Sequence, residues 1–285
     1  ACTCHKIISP AMNTNMFNNP IVQDNLAKLE RFGMEVIQPE TGLLACKDVG
    51  AGKLPSESVL LDYILKEIRF EKDLAGKKVL VTAGPTVERI DPVRFISNRS
   101  TGKMGYAIAK IASLRGADVT LVSGPVNIEP PRFVKVINVE SAKEMFDAVT
   151  QNSDSMDIII KAAAVADYTP VSVADEKIKK KDGDMVIPLK RTNDILKYLG
   201  EHKKEGQFIC GFSMETENML ENSRNKLEKK NADMIAANNV KVEGAGFGVD
   251  TNVVTLITKK GYKELPQMSK EDVASAILDS IIECK

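Results

Sequence analysis

Short apolar runs alternate regularly with amphipathic segments from residue 77 to the end of the chain. Runs rich in Val and Ile, such as "KVLVTAG", "DVTLVSG" and "MDIIIKAAA", predict strands that are buried on both faces. Segments between them, such as "MGYAIAKIASLRG", space their apolar residues three and four apart, as a helix does. Buried strands that alternate with helices are typical of an α/β protein with a doubly wound parallel sheet. We therefore predict that architecture for residues 77–285.

The first 70 residues carry a weaker form of the same pattern. Apolar spacing predicts helices at about 18–32 and 56–70, and strands in "HKIISPA" and "MEVIQPE". The glycine-rich stretch 41–55 is predicted to be a loop. The charged segment 71–76 contains glycine and is followed directly by a new strand, so we expect a linker between two domains there.

Composition narrows the class of function. The chain has 39 basic and 39 acidic residues, whereas a nucleic-acid binder usually carries a basic surplus, so no nucleic-acid partner is expected. No apolar run approaches the ~20 residues that a membrane helix needs, so no membrane association is expected. Five scattered cysteines are too few for a disulfide framework, which favours the cytoplasm. Cys2, Cys4 and His5 offer metal ligands, but no suitably spaced second pair accompanies them, and the metal ligands stay unknown.

The stretch "ISNRSTGKMG" has the composition of an anion-binding loop that leads into a helix. It is not a P-loop, because Met104 follows Lys103 and Ser97 stands where that motif needs glycine. It is not a dinucleotide-binding turn, because the first strand ends in "TAGPTVERIDP", with one glycine. The unpaired N–H groups of a helix starting near Met104 would still attract an anion. The candidate ligands are Ser100, Thr101, Gly102 and Lys103, and an ordinary capped loop is the alternative.

Other polar residues follow predicted strands, where ligands of such sheets usually bind. Asn98 could orient a reacting carbonyl or close an Asx turn, and Asp167 could hold a ribose, a nucleobase or a metal, or cap a turn. The lysines of "KIKKK" form either a phosphate clamp or a solvated charge run, and Lys226 and Lys230 share one helix face. Several lysines at one cleft favour a nucleoside triphosphate. The residues alone thus indicate an α/β enzyme that uses such a nucleotide, without giving its substrate.

Six segments together resemble the ligase half of the bifunctional phosphopantothenoylcysteine decarboxylase/phosphopantothenate–cysteine ligase family (CoaBC/Dfp). They are "VTAGPTVERIDPVRFISNRSTGKMGYAIA", "KAAAVADY", "KIKK", "NDIL", "GFSMET" and "KLEKKNADMIAAN". The resemblance implies a Rossmann-like ligase domain over residues 77–285 that uses CTP and Mg²⁺. In that reaction the carboxylate of 4′-phosphopantothenate becomes an acyl-cytidylate. The amine of cysteine then displaces CMP and gives 4′-phosphopantothenoylcysteine.

The resemblance also implies roles for individual residues. Lys177 would serve the first step, and Asn98 would orient the acyl-cytidylate for attack by the amine. Ser100, Thr101, Gly102 and Lys103 would bind the phosphate of phosphopantothenate. Ser213 and Met214 replace two alanines that are common in the family, so ATP is the alternative nucleotide. The implied nucleotide-binding residues are Ala162, Ala163, Ala164, Asp167, Lys177, Asn193, Asp194, Ile195, Leu196, Phe212, Lys226 and Lys230.

Residues 1–70 resemble the C-terminal part of the family's flavin-dependent decarboxylase, a flavodoxin-like domain. There Asn13 of the "PAMN" turn would contact substrate and Cys46 would donate a proton, while FMN would bind only to the complete domain. Phe17 stands where the family usually has Trp. The family's flavin-phosphate loop and essential histidine have no counterpart in this sequence. The chain is therefore expected to be a fragment without decarboxylase activity of its own.

Two other functions compete with the ligase. Decarboxylase activity would survive if another chain supplied the missing part. A non-catalytic NAD(P)-binding module is the third possibility, since a doubly wound sheet alone implies no reaction, but the broken dinucleotide fingerprint disfavours it. The resemblance further implies a homodimer formed through the ligase domain and a higher oligomer for the full-length bifunctional protein.

Overall fold

The computed structural model describes residues 3–179, 184–215, 218–239, 246 and 248–284. The chain divides into two compact units, Ala1–Glu71 and Lys72–Lys285. Within the described part of the chain, no helix combines the length and the apolar composition that crossing a membrane requires.

The first unit contains seven short elements. β1 pairs with β2 in parallel, and β3 pairs with β4 in an antiparallel hairpin. The second helix starts at Pro20 because the Asn19 side chain accepts a hydrogen bond from the Ile21 N–H and proline suits the first helical position. In chain order the elements are β1 (Ile7–Ile8), α1 (Thr14–Phe17), α2 (Pro20–Arg31), β2 (Glu35–Val36), β3 (Glu40–Leu43), β4 (Val49–Lys53) and α3 (Glu57–Ile68).

The prediction of a loop over residues 41–55 was wrong, because β3 and β4 pair there. Glycine is usually depleted in strands, so the composition of this stretch misled the prediction. At Gly52 an added Cβ would lie 2.2 Å from the Met12 carbonyl oxygen. The Met12 N–H donates to the Gly52 carbonyl oxygen at 2.9 Å. Glycine at this position therefore allows the turn around Met12 to pack directly on the hairpin.

The second unit is built around one large sheet. In chain order its elements are β5 (Lys78–Ala83), β6 (Val87–Arg89), β7 (Phe95–Ser97), α4 (Lys103–Leu114), β8 (Asp118–Ser123), β9 (Lys135–Asn138), α5 (Ala142–Ser153), β10 (Ile158–Lys161), β11 (Tyr168–Pro170), β12 (Leu189–Arg191), α6 (Ile195–Glu201), β13 (Phe208–Glu215), α7 (Met219–Lys229), β14 (Met234–Asn239), β15 (Thr251–Asn252), β16 (Val254–Thr258), β17 (Gly261–Glu264), β18 (Met268–Ser269) and α8 (Lys270–Cys284).

The large sheet has eight strands in the order β17-β16-β14-β13-β10-β5-β8-β9. The six strands from β14 to β9 pair in parallel, and β16 and β17 run antiparallel. A core that includes Leu80, Ile159 and Leu227 joins the sheet to α5, α6 and α7. Helix α4 packs on β5 and β8 and against α8. The predicted doubly wound α/β architecture is confirmed.

The order of the strands reverses beside β5. From β5 the sheet continues through β8 and β9 on one side, and from β10 through β13 and β14 on the other. This arrangement leaves a crevice beyond the carboxyl ends of β5 and β10, the place where such sheets bind ligands. The Ala164 N–H donates to the Gly84 carbonyl oxygen at 2.9 Å, which joins the two loops that leave these strands.

Candidate active site

The glycine-lysine loop ends at the amino end of α4, in the crevice. Gly102 is the N-cap residue, with φ 78°, and as a glycine it supplies no side-chain cap. An added Cβ would lie 2.7 Å from Val126 Cγ1 at Gly102, and 2.5 Å from Ala83 Cβ at Gly105. Glycine at both positions therefore lets the helix end lie against the end of β5. The N–H groups of the first turn have no partner inside the helix and can bind an anion.

A cleft of about 320 Å³ opens in front of this helix end, and we name it the first cleft. It joins the loop predicted to bind a phosphate to Asn98 and to the small residues that follow β10. Its wall consists of Asn98, residues 100–105, 161–165, Asp167, residues 212–214, Lys226, Asn238, Gly246, Asn252 and Lys270.

Lys103 and Lys270 are two of the four lysines that line the first cleft. Lys103 Nζ lies 2.7 Å from Asp250 Oδ1. Lys270 is buried and donates to the carbonyl oxygens of Gly246, at 3.2 Å, and Val249. Burial is the main reason that the pKa of Lys270 is lowered, and the nearby Lys103 adds to the effect. Together with the uncapped helix end, these ammonium groups suit a phosphate. The sequence analysis missed Lys270, which lies about 170 residues beyond the loop, at the start of another helix.

Asn98 lies at the mouth of the first cleft. Its Nδ2 donates to the Ala164 carbonyl oxygen at 3.0 Å. The preceding Ser97 is also held, because its Oγ donates to the Thr86 carbonyl oxygen at 2.8 Å. The carboxamide nitrogen is thus hydrogen-bonded to the backbone that follows β10. The exposed side chain leaves its Oδ1 available to accept a hydrogen bond from an approaching amine.

A second cleft, of about 390 Å³, lies beside the first. The two clefts share four wall residues, Lys161, Val165, Asp167 and Lys226. The second cleft thereby brings together residues that the sequence analysis had placed at the nucleotide. Its other wall residues are Ala166, Tyr168, residues 191–196 and Lys230.

Asp194 sets the charge at one end of the second cleft. Its side chain caps α6 by accepting from the Lys197 N–H at 2.9 Å, and its Oδ2 lies 2.6 Å from Lys230 Nζ. Burial alone would raise the pKa of Asp194, but the hydrogen bonds from Lys230 and the Lys197 N–H outweigh it and lower that pKa. Lys226 Nζ donates to the Phe212 carbonyl oxygen at 3.0 Å. Both lysines predicted to share a helix face therefore reach this cleft.

Lys161, the last residue of β10, lies in the wall common to both clefts. Desolvation lowers the pKa of its ammonium group to about 8, with a further contribution from Lys226. Asp194 and Asp167 act in the opposite direction. The sequence analysis missed this residue because it reads as the polar end of a buried strand.

Both units match known protein families. Residues 74–284 match the family described as "DNA/pantothenate metabolism flavoprotein C-terminal domain", and residues 2–69 match the Flavoprotein family. The coenzyme A biosynthesis bifunctional protein CoaBC of Bacillus subtilis is 50% identical over 285 residues, which cover 99% of this chain and 70% of that protein. The chain belongs to the CoaBC family.

Two further relatives of the family support the assignment. CoaBC of Vibrio vulnificus is 45% identical over 276 residues, covering 96% of this chain and 69% of that protein. The crystal structure of the C-terminal domain of a CoaBC protein superposes with a TM-score of 0.63 at 50% identity, covering 74% of this chain and 98% of that one.

Lys177, the family's expected first-step lysine, lines neither cleft in this structure. The segment that carries it is held at the next residue. The Ile178 N–H donates to Asp91 Oδ2 at 3.2 Å, and the Ile178 carbonyl oxygen accepts from Arg94 Nη2 at 2.7 Å. The lysines at positions 180 and 181 of the predicted phosphate clamp lie outside the described residues.

In the first unit, the two residues expected at a decarboxylase site are neighbours. Asn13 caps α1, and its Nδ2 lies 3.3 Å from Cys46 Sγ and 3.3 Å from Asp48 Oδ2. Asp48, which the sequence analysis missed, also accepts from the Cys46 thiol at 3.5 Å. His5, considered above as a metal ligand, has its Nδ1 2.8 Å from Glu67 Oε2, and the ligand atoms of His5, Glu35 and Glu67 lie within 4.8 Å of one another. Cys2 lies outside the described residues.

Proposed function

We propose that the second unit is a phosphopantothenate–cysteine ligase. It would activate the carboxylate of 4′-phosphopantothenate with a nucleoside triphosphate and then join the acyl group to the amine of cysteine. Membership of the CoaBC family supports this reaction. The observation that carries the proposal is the pair of clefts with a shared wall, because two substrates bound side by side can react where their clefts meet.

The phosphate of phosphopantothenate would bind at the amino end of α4, in contact with Ser100, Thr101, Gly102 and Lys103. The N–H groups of the first turn, together with Lys103 and Lys270, support this position. Ala162–Ala164, expected at the nucleotide, line the first cleft and not the second, so the pantothenate chain would run along them toward the shared wall.

The nucleotide, for which we propose CTP, would occupy the second cleft. The ammonium groups of Lys226 and Lys230 can bind its phosphates, and Asn193–Leu196 would line its pocket. Phe212, expected at the nucleotide, lines the first cleft, and its carbonyl oxygen accepts from Lys226, which lines both clefts. Mg²⁺ is usually held by substrate phosphates and one or two carboxylates, and Asp167, which lines both clefts, is a carboxylate that fits this role. The ion would neutralise phosphate charge.

The first half-reaction forms a bond between a carboxylate oxygen and the α-phosphorus. The bond from that phosphorus to the bridging oxygen breaks, and its electron pair leaves with pyrophosphate. Both reactants are anions, so cations fixed at the shared wall would stabilise the five-coordinate phosphorus. In the second half-reaction the amine of cysteine attacks the acyl carbon, loses a proton and expels CMP. Asn98, at the mouth of the first cleft, would orient the intermediate and accept a hydrogen bond from the amine.

Pyrophosphate release tests the proposal. Purified protein receives Mg²⁺ and either CTP or ATP, with and without 4′-phosphopantothenate and cysteine. We expect release that requires phosphopantothenate, is faster with CTP, and becomes multiple turnover when cysteine is added. No release with either nucleotide would refute the ligase. Lys177→Gln should prevent release, and a normal rate in that variant would remove Lys177 from the first step.

For the first unit, we propose the C-terminal part of a flavin-dependent decarboxylase domain, with residues 71–76 as the linker to the ligase. In the complete domain, which would bind FMN, Asn13 would contact substrate and Cys46 would donate a proton. The 3.3 Å approach of Asn13 Nδ2 to Cys46 Sγ supports this pairing. Mixing the chain with a polypeptide that carries the missing part should restore a flavin spectrum and decarboxylation, and Cys46→Ser should abolish only the latter. Restored decarboxylation in Cys46→Ser would refute its role.

We also propose a cytoplasmic homodimer formed through the ligase unit, and a higher oligomer for the full-length family protein. The strands β6, β7 and β11 and their turns carry exposed apolar side chains, among them Val93, Phe95 and Tyr168. We propose this apolar surface as the dimer interface. Light scattering should give twice the chain mass. Phe95→Lys should give the monomer, and a dimer that persists in this variant would exclude the surface.

A further inference from the structure

Lys161 has a place in the fold that sets it apart from the other lysines of the site. It ends the central strand β10, opposite Thr82 of β5 and Gly211 of β13. As the last residue of β10, it lies at the carboxyl end of the sheet. There it forms part of both clefts.

The other lysines of the clefts already have partners. Lys103 pairs with Asp250, and Lys230 pairs with Asp194. Lys226 and Lys270 donate to backbone carbonyl oxygens. The side-chain ammonium group of Lys161 makes no hydrogen bond or ion pair with any residue in the described ranges. An ammonium group that is taken out of bulk water and left without a partner is costly, and such groups are concentrated at functional sites.

The charges that face Lys161 come from three directions. Lys226 and Lys230 lie on or at the end of α7, Asp194 caps α6, and Asp167 follows β10. Lys230 and Asp194 already neutralise each other. The site thus has an ammonium group without a direct ionic partner, at the place where two anionic substrates would meet.

We propose that Lys161 is a catalytic residue of the first half-reaction, donating hydrogen bonds to the α-phosphate and the attacking carboxylate where the two clefts meet. This role rests on the ligase function proposed above. As the carboxylate oxygen bonds to the α-phosphorus, negative charge accumulates on the non-bridging oxygens, and the ammonium group stabilises it. The bond to pyrophosphate breaks with its electron pair. No proton is transferred, so Lys161 must enter the step protonated.

The protonation requirement gives the role a signature that a structural lysine would lack. The free ammonium group has a pKa of about 8, so the protein loses the active form as the pH rises through that value. The kcat/KM for the nucleotide reports on the free enzyme, and we expect it to fall above pH 8. Arginine keeps its charge throughout this range, so Lys161→Arg should move the fall to higher pH.

The experiment follows the pyrophosphate burst with 4′-phosphopantothenate, Mg²⁺ and CTP in the absence of cysteine, whose own ionisations are thereby excluded. Lys161→Met should slow the burst by roughly 10²–10³-fold, the usual effect of removing one group that stabilises transition-state charge. Lys229→Met, on the exposed face of α7, is the matched control and should react at the rate of the unaltered protein. Lys161→Arg should retain part of the rate.

The possible results separate this role from the function on which it rests. If the unaltered protein releases no pyrophosphate, both the ligase and the role of Lys161 fall. If it does and Lys161→Met reacts equally fast, only the role of Lys161 falls. A normal burst in Lys161→Met followed by slow amide formation would assign the lysine to deprotonation of cysteine and overturn the proposal. A slow burst in Lys161→Met, together with the predicted pH profiles in the unaltered protein and in Lys161→Arg, would support it.

Discussion

Replacing Lys161 by Met should make the nucleotide-free protein more stable at pH 7. The pKa of this lysine is lowered from 10.5 to about 8, mainly by desolvation. Each pKa unit is worth ~1.4 kcal/mol, so keeping the group charged in the folded protein costs about 3 kcal/mol. Met has a similar size and no charge, and the variant avoids this cost.

The sign of the pH dependence follows from proton binding. Between pH 8 and 10.5 the unfolded chain holds the proton and the folded protein does not, so stability rises with pH over that range. The penalty is complete below pH 8 and is lost as the pH approaches 10.5. The advantage of the Met variant should therefore shrink from about 3 kcal/mol at pH 7 to about 1 kcal/mol at pH 10.

Scanning calorimetry is a suitable assay because the chain contains no tryptophan. For a unit of this size, 1 kcal/mol changes Tm by roughly 2–4 °C, so we expect an increase of about 6–12 °C at pH 7. The ligase transition is identified as the one that CTP raises in the unaltered protein. Lys229→Met, at an exposed position, should change the stability by less than ~0.5 kcal/mol. An unchanged or lower Tm for Lys161→Met at pH 7, or a gain that does not shrink by pH 10, would refute the reasoning.

Three further predictions concern other parts of the second unit. Gly105→Ala should push α4 away from Ala83 and lower the free energy of unfolding by about 1–3 kcal/mol. It should also raise the KM for phosphopantothenate. An unchanged KM and Tm would contradict the tight packing. Asn98→Asp should release pyrophosphate normally but accumulate acyl-cytidylate, which chromatography of quenched samples would detect. Amide formation at the normal rate in this variant would show that the role proposed for Asn98 is wrong. Arg115→Met removes the buried guanidinium that joins Asp73 to Asp279. Urea unfolding should show a free energy of unfolding lower by about 2–3 kcal/mol. A loss below ~0.5 kcal/mol would show that water replaces both ion pairs.

The large sheet could be predicted because its strands are buried on both faces. The run Ile158–Ile160 has no exposed residue, and the flanking helices repeat at helical spacing, so local pattern and final structure agree. The hairpins β6–β7 and β11–β12 were not predicted, because strands of three residues are too short to show a period.

The candidate site could be predicted only in part. Residues such as Gly102 and Asp167 follow predicted strands or precede a predicted helix, and topology then brings them together. Lys161 and Lys270 could not be found in this way, because what distinguishes them is burial and the partners they have or lack, which depend on distant segments. Lys177 is the opposite case. The family resemblance assigns it to the nucleotide, but it does not line the second cleft in this structure.

The glycine at the N-cap position of α4 has a consequence for hydrogen exchange. With Gly102 as the N-cap residue, the amides of Lys103, Met104 and Gly105 have no acceptor within the helix, so they should exchange rapidly in the ligand-free protein. The body of the same helix is buried against β5 and α8 and should exchange slowly. A bound phosphate would take the place of the absent cap and protect those three amides. Substrate binding would then complete a secondary-structure element, and protection of a single helical turn would report occupancy of the first cleft.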